Sequence, residues 1–309
     1  MSKMPQEELK MSFDPNTIEH LGVRMYSTLP PVLAELIANA YDADAASVSL
    51  TLNDKGEKKI IIEDNGVGMS FDEINSKFLR IGRPRRQEEG TQITKKNRKV
   101  IGKKGLGKLS FFGIAHEIEI ATKKDGKENI FAMNWEDIKT TKGDYKPKVI
   151  KKDESCSAKE HGTKITLRKI QRASDFSSED IADALSKMFI IDSDFKITLR
   201  RNSEKPITIT NDRRFASLEK EIEWKIPADS KFTDNYDKAN QIVGHLIATK
   251  KPIPPKTDMR GIILFSRKKM VNRPEYFSDS ISSHFFSYLT GWLEVDFIDD
   301  LEEDVIATN

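Results

Sequence analysis

Apolar residues recur at helical spacing from Pro30 to Asp44, PPVLAELIANAYDAD. At roughly 100° per residue, Leu33, Leu36, Ile37 and Ala40 fall on one side, and Glu35, Asn39 and Asp42 lie within roughly 60° of each other on the opposite side. Pro30 and Pro31 suit the entrance of this helix, where a missing N–H costs nothing. Strict alternation follows. SVSLTL places Val48, Leu50 and Leu52 on one face, the turn Asn53-Asp54-Lys55-Gly56 comes next, and KKIIIED returns, which predicts a β-hairpin. EIEIAT, a turn near Asp125 and Gly126, and NIFAMNW predict another, Gly162 to Leu167 a further strand, SEDIADALSKMFI a capped amphipathic helix, and FKITLRR a strand. Residues 140–159 read as a polar excursion. Beyond residue 200 the pattern is again mixed: PITIT, QIVGHLIAT, the proline-rich KKPIPPKTDMR, the strand GIILFSR and a helix-like HFFSYLTGWLEVDF.

Composition narrows the function classes. The 309 residues allow two domains of ordinary size. Lys+Arg 51 against Asp+Glu 49 leaves +2, so any nucleic-acid or membrane binding must be local. One cysteine, Cys156, excludes an internal disulfide and a Cys-based zinc site, and fits a reducing, cytoplasmic setting. The opening MSKMPQEELK has no apolar core of a secretory signal, and no window reaches the roughly 18 apolar residues of a membrane span. The five histidines show no metal-ligand spacing, and there is no serine-centred nucleophile elbow.

Three stretches carry candidate chemistry. The helix stripe of two acids and a carboxamide is one. The second is Asp64-Asn65-Gly66-Val67-Gly68-Met69, which enters not another strand but a segment opened by a capping box, Ser70 to Glu73. Its glycines therefore sit at a strand-to-helix turn, where backbone can approach a flat ligand and Asp64 can accept a hydrogen bond from an exocyclic amine. The third is Gly102-Lys103-Lys104-Gly105-Leu106-Gly107-Lys108-Leu109-Ser110, with glycines and lysines before an apolar helix, suited to phosphate. It misses a Walker A loop by one residue: Leu109 cannot hold magnesium, and no buried strand precedes it. Between the last two stretches, Arg80 to Lys99 is basic and broken by Gly82, Pro84 and Gly90. It reads as a flexible flap without core anchors, or as a nucleic-acid patch that lacks interleaved aromatics.

In this order the three stretches, with Gly162-Thr163 further on, resemble the GHKL ATPases: DNA gyrase B, the large heat-shock chaperone, mismatch-repair MutL, sensor histidine kinases and the microrchidia (MORC) proteins. The first motif is most similar to the microrchidia version, and the tail FIDDLEEDVIATN to the end of the chaperone's middle segment. The resemblance implies an α/β sandwich of the Bergerat type, a mixed, mostly antiparallel sheet with helices on one face, followed by an α+β, transducer-like (S5-like) second domain. It implies boundaries at 1–16 for a flexible start, 17–200 for the ATP-binding domain with a lid at about 70–101, and 201–309 for the second domain, truncated at its end. The implied ligands are ATP and magnesium. Glu35 matches the general base, Asn39 the magnesium ligand, Asp64 the adenine reader and Thr163 its support. Gly66, Gly68 and Met69 match the base pocket, while Gly102, Gly105, Leu106 and Gly107 match the phosphate cradle with Lys104 or Lys108 beside it. Asp42 matches an acid of the nucleotide site or a structural one.

In that family a Lys or Arg of the second domain reaches the γ-phosphate, and in the chaperone it follows a segment like VIATN, where this sequence stops at Asn309. Lys250, Lys251 and Lys256 are the substitutes within the chain. The implied function is slow ATP hydrolysis that closes a homodimer or clamp, with a client protein or DNA as partner, a lid ordered by the triphosphate, and no membrane. The alternatives are a nucleotide-binding module without turnover, and a sensor-kinase-type catalytic domain, which has no need of an acid at Glu35.

Overall fold

The strands form two sheets in a computed structural model that describes residues 28–82, 88, 92–102, 107–141, 144–229, 236–277 and 284–299. The first eight strands are β1 (Ser47–Asn53), β2 (Lys59–Asp64), β3 (Ala115–Lys124), β4 (Lys127–Asn134), β5 (Lys148–Ser155), β6 (Gly162–Ile170), β7 (Lys196–Arg201) and β8 (Ile207–Ile209). They pair in the order β5-β4-β3-β6-β2-β1-β7-β8, antiparallel except for β1 with β7. The last five are β9 (Lys220–Ile226), β10 (Val243–Thr249), β11 (Gly261–Ser266), β12 (Lys269–Met270) and β13 (Leu289–Glu294), in the order β12-β11-β13-β10-β9. The β7–β8 hairpin belongs to the first sheet, so the chain leaves that sheet after Ile209.

Register explains where the core and the site lie. Leu199, Leu50, Ile62, Ile165, Ile120 and Phe131 face one another across six strands, and Leu52, Ile60, Leu167, Ile118 and Met133 form a second row across five. All are buried on one face. Over them lie α1 (Leu29–Asp42) and α3 (Ser178–Met188), with α2 (Trp135–Thr140) between them in sequence and a 3-10 turn at Gly107–Gly113. The next row along the same face is different: Val48, Asp64, Thr163, Thr122 and Asn129. Four neighbouring strands there present polar groups where the rest of the face presents Leu, Ile and Phe.

Three expectations change. HFFSYLTGWLEVDF is not a helix but a 3-10 turn, His284–Tyr288, leading into β13. Strand pairing outweighs the helical pattern there, because β13 lies between β10 and β11 and Gly291 lets the His245 carbonyl pass close. The polar stretch 140–159 contains β5, an edge strand with seven of its eight residues exposed, so no layer covers either of its faces and no alternation announces it. The apolar segment after the glycine-lysine loop is a 3-10 turn instead of an α-helix, with Phe111 and Phe112 fully buried. The N-terminal segment 1–16, the expected helix at Thr17 to Met25, and the tail 300–309 lie outside the described residues. Among the described residues no helix is long and apolar enough to cross a membrane.

Candidate functional site

The organising helix is buried almost all round, so its polar residues are not a solvated face. Val32, Leu33, Ala34, Leu36, Ile37, Ala38, Ala40, Tyr41 and Asp42 are all buried. Asn39 is exposed and Glu35 partly so, with 20% of its side chain accessible. One turn apart, they open on the same side of a helix otherwise packed on both flanks. Gly107 lies directly over Glu35: a Cβ there would stand 2.5 Å from Glu35 Oε2, so a side chain at this position would displace the carboxylate from where it stands. No described residue hydrogen-bonds the Asn39 carboxamide, which leaves its oxygen available to a hard cation. Glu35 has a partner from the second sheet. Lys269 Nζ on β12 donates to Glu35 Oε1 at 2.6 Å.

Asp64 ends β2 and faces Thr163 across the ladder. Its carboxylate accepts from Gly66 N at 2.8 Å and from Thr163 N. Burial raises its pKa to about 6 even against those two donors. Gly68 has φ of +65°, and any side chain there would collide with the Lys123 carbonyl. Met69 N donates to Thr122 Oγ1 at 2.9 Å, and His161 Nδ1 meets Gly66 O at 2.8 Å. Asp64, Gly66, Gly68, Met69 and Thr163 are thus brought together.

Asp42 is buried at the end of α1. Its two oxygens accept from Ile101 N at 2.8 Å and Gly102 N at 3.0 Å, which fixes the entry of the glycine-lysine loop on the end of α1. Lys104, Gly105 and Leu106 lie outside the described residues, as does the side chain of Lys108. The flap read as lacking anchors is tied down at its returning end. Arg98 is only 5% exposed and donates to Ala45 O at 2.7 Å and Asp194 Oδ2 at 2.8 Å, with its guanidinium over the Tyr41 ring. The other end is the expected capping box at Ser70 and Glu73, continuing as a π-helical turn, Ile74–Phe78. Arg83, Arg85 and Arg86 lie outside the described residues.

Residues 26–163, which contain all of these groups except Asp194 and Lys269, match the family model described as histidine kinase-, DNA gyrase B-, and HSP90-like ATPase. The chain carries a GHKL ATPase domain. It is similar to HgiDII of Herpetosiphon aurantiacus, provisionally described as a type II restriction enzyme, at 29% identity over 99% of this chain and 52% of that protein. It is also similar to the chaperone protein HtpG of Wolinella succinogenes, at 26% identity over 72% of this chain and 37% of the relative. The HtpG of Helicobacter hepaticus matches at 30% over 50% of this chain and 26% of its own length. The chain therefore spans about half the length of HgiDII and less of the chaperones.

Within this GHKL domain and the sheet beside it, three groups escape a reading of the sequence. Lys251 is paired with Glu219 at 2.8 Å, and it is Lys269, not Lys250, Lys251 or Lys256, that stands at Glu35. The only local signal for Lys269 is the basic run Arg267-Lys268-Lys269 after an apolar strand, and a run of that kind is ordinarily a solvated turn. Thr122 looks like any strand threonine until the register sets it beside Thr163. Arg98 belongs to a basic stretch whose other described members, Arg80, Lys95, Lys96 and Lys99, are exposed.

Proposed function

We propose that the chain binds ATP with magnesium in the cleft between α1 and the Asp64 turn, hydrolyses it slowly, and uses the bound triphosphate to close a homodimer. The observation that carries this reading is the placement of Glu35 and Asn39 as the open positions of a buried helix, with the Gly107 backbone close over Glu35 and a lysine from the other sheet against it. Asn39 offers a carbonyl oxygen to magnesium, which would neutralise triphosphate charge when bound. Glu35 is the general base: its carboxylate orients and deprotonates the attacking water. Asp64 takes the exocyclic amine of adenine, with Thr163 beside it, and Gly66, Gly68 and Met69 shape the base pocket. Gly102, Gly105, Leu106 and Gly107, with Lys104 or Lys108, form the phosphate cradle. Asp42 positions that cradle through Ile101 and Gly102.

Lys269 is the second-sheet cation of this scheme. A lysine is a compact charge on a flexible stem, so it can exchange Glu35 Oε1 for a γ-phosphate oxygen. The exchange frees the base as it neutralises the group under attack. ADP provides no such oxygen, so the lysine returns to Glu35, and the second sheet senses which nucleotide is present.

The similarity to HgiDII over nearly the whole chain supports a DNA-linked setting, while that to HtpG supports a client protein. A microrchidia-like clamp in the cytoplasm fits the first. The Glu35–Lys269 pair also suits a module that holds ATP without turnover, since it masks the base. Nucleotide titration and steady-state phosphate release separate these readings. Glu35→Ala is expected to abolish release with ATP still bound, and Lys269→Met to lower it about a hundredfold or more. Failure of the unaltered chain to bind adenine nucleotides overturns the proposal. Release that survives Glu35→Ala removes the assigned base, and binding without any release leaves the non-catalytic module.

A further inference from the structure

The face of the first sheet turned away from the helices plays no part in the scheme above. Its residues follow from the pairing. Lys196, Thr198 and Arg200 on β7 stand beside Ser47, Ser49 and Thr51 on β1, and Ser49 and Thr51 stand in turn beside Glu63 and Ile61 on β2. Lys164 on β6 is opposite Glu63, and Arg168 shares its side of that strand. They alternate with Ile165 and Leu167, which are buried in the core. No described element covers the face: Ser49, Glu63, Lys164, Lys196 and Arg200 are exposed. Its charge is one-sided. On β7, β1, β2 and β6 the outward Lys59, Lys164, Arg168, Lys196 and Arg200 are answered by Glu63 alone, and the acids Glu117 and Glu119 lie one strand farther, on β3. Among the described residues Lys59, Lys164 and Lys196 have no ion-pair partner. Arg200 Nε donates to Thr51 Oγ1 at 3.3 Å, and Arg168 reaches Glu57 of the β1–β2 turn only at 4.0 Å.

We infer that this outer face binds the phosphate backbone of duplex DNA, without regard to sequence. The inference rests on the DNA-linked setting proposed above and supplies the surface for it. The cations form two rails, Lys196 and Arg200 on β7 and Lys59, Lys164 and Arg168 on β2 and β6, with the hydroxyls of β1 between them. At about 4.8 Å per strand the rails stand roughly 10 to 14 Å apart, the scale of the about 12 Å major groove that separates two backbones of B-DNA. Lysine and arginine neutralise phosphates, and serine and threonine hydroxyls donate to phosphate and sugar oxygens. Side chains as short as those of Ser47, Ser49 and Thr51 stay above the base edges, so position is read and sequence is not. No aromatic residue points outward from these strands to stack on unpaired bases, which disfavours a single strand. Ile61 is the one large apolar residue among them, which leaves a protein partner without an anchor. Asp64 and Thr163 sit on the same β2 and β6 but face the other way, so DNA and nucleotide would occupy opposite sides of the sheet.

The test is fluorescence anisotropy of the full chain with two labelled DNA duplexes of unrelated sequence, between about 50 and 200 mM salt. The unaltered protein is compared with Lys164→Gln/Lys196→Gln/Arg200→Gln, and with Lys146→Gln/Lys225→Gln/Arg273→Gln, which removes the same charge from exposed positions elsewhere. All six positions are exposed, so both variants are expected to fold and to melt with the unaltered chain. The expected result is equal affinity for the two duplexes and a log–log salt slope of about −4. In the sheet variant the slope becomes shallower by about 2 to 3 and Kd rises about tenfold or more, while the control variant changes Kd less than about threefold. Equal losses in the two variants, or a loss confined to Arg83→Gln/Arg85→Gln/Arg86→Gln, would move the DNA off this face and overturn the inference while leaving the DNA-linked setting in place. Tighter binding to an RNA duplex of the same length, or to vesicles of phosphatidylserine and phosphatidylcholine, overturns the choice of DNA and the inference with it. Absence of duplex binding by the unaltered chain at the lowest salt overturns the DNA-linked setting itself.

Discussion

Asp64, the proposed adenine reader, is a carboxylate that the fold holds at a cost in stability. Its pKa of about 6, against 3.8 for an ordinary aspartate, means that the fold disfavours the charged form, by roughly 3 kcal/mol if the whole shift is read as free energy. The sign follows from linkage. With the folded pKa raised, this group stabilises the nucleotide-free protein most below about pH 4, and the contribution fades as pH rises through about 6. Binding runs the other way, since the ionised carboxylate is the stronger acceptor for an N6 amine. Nucleotide affinity measured across pH 5 to 8 is therefore expected to fall on the acid side of about 6. Asp64→Asn keeps an oxygen for Gly66 N–H but removes the charge. It is expected to melt at the same or a higher temperature than the unaltered protein at neutral pH, while losing adenine nucleotide by about tenfold or more. A lower melting temperature together with unchanged affinity would show that Asp64 is structural only.

At the scale of elements, α1 ends without a glycine, and a side chain from far along the chain completes it. Arg98 reaches Ala45 O at 2.7 Å and Tyr41 O at 3.3 Å, so a cation sits at the negative end of the helix that carries Glu35 and Asn39. Its guanidinium carbon lies 4.5 Å from the Tyr41 ring centre and 5.3 Å from that of Phe195. Replacing Arg98 by Met keeps the stem but removes three kinds of contact, carbonyl, carboxylate and ring. Urea unfolding is expected to show a loss of about 2 to 3 kcal/mol; a loss below about 0.5 kcal/mol would mean that water replaces the guanidinium at little cost. The elements themselves were legible where one periodicity ran unbroken: α1, the β1–β2 hairpin, the Ser70 capping box and α3 follow from local spacing and caps. Others depend on partners that local sequence does not contain. β5 is exposed on both faces and so lacks an apolar alternation, and β13 has helical spacing but lies between two strands. The β11–β12 turn uses Arg267 and Lys268 at φ of +49° and +71°, without the glycine or asparagine that would announce it. Lys269 stayed invisible for that reason, whereas Glu35, Asn39 and Asp64 stood out as polar residues in otherwise apolar stretches.

For the molecule as a whole, that unannounced turn is the junction between residues 92–101, α1 and the second sheet. Arg267 is 3% exposed; it donates to Val100 O at 3.2 Å and to Gln92 Oε1, and its Nε pairs with Asp299 Oδ2 at 3.0 Å. Lys268 meets Glu294 at 2.8 Å, and its carbonyl accepts from Ile190 N at 2.8 Å. Lys269 then meets Glu35, so three consecutive cations bind three separate parts of the structure. Arg214 adds a second joint: it donates to Ser186 O and Phe189 O at the end of α3 while lying 4.6 Å from the Phe265 ring centre of the second sheet. A shift of the segment ending at Val100 is therefore felt two residues from the lysine on the proposed base. Deleting Arg267 alone would leave Asp299 buried without its cation, a cost of about 3 to 5 kcal/mol that would obscure the point. The double variant Arg267→Met/Asp299→Asn removes both charges together and avoids that penalty. Hydrogen exchange is expected to accelerate at the amides of residues 92–101, and phosphate release to fall, with ATP affinity within about twofold of the unaltered chain. Equal exchange in the two proteins would show that residues 92–101 and Lys269 are held independently, and would leave Lys269 alone as the proposed route from nucleotide to the second sheet.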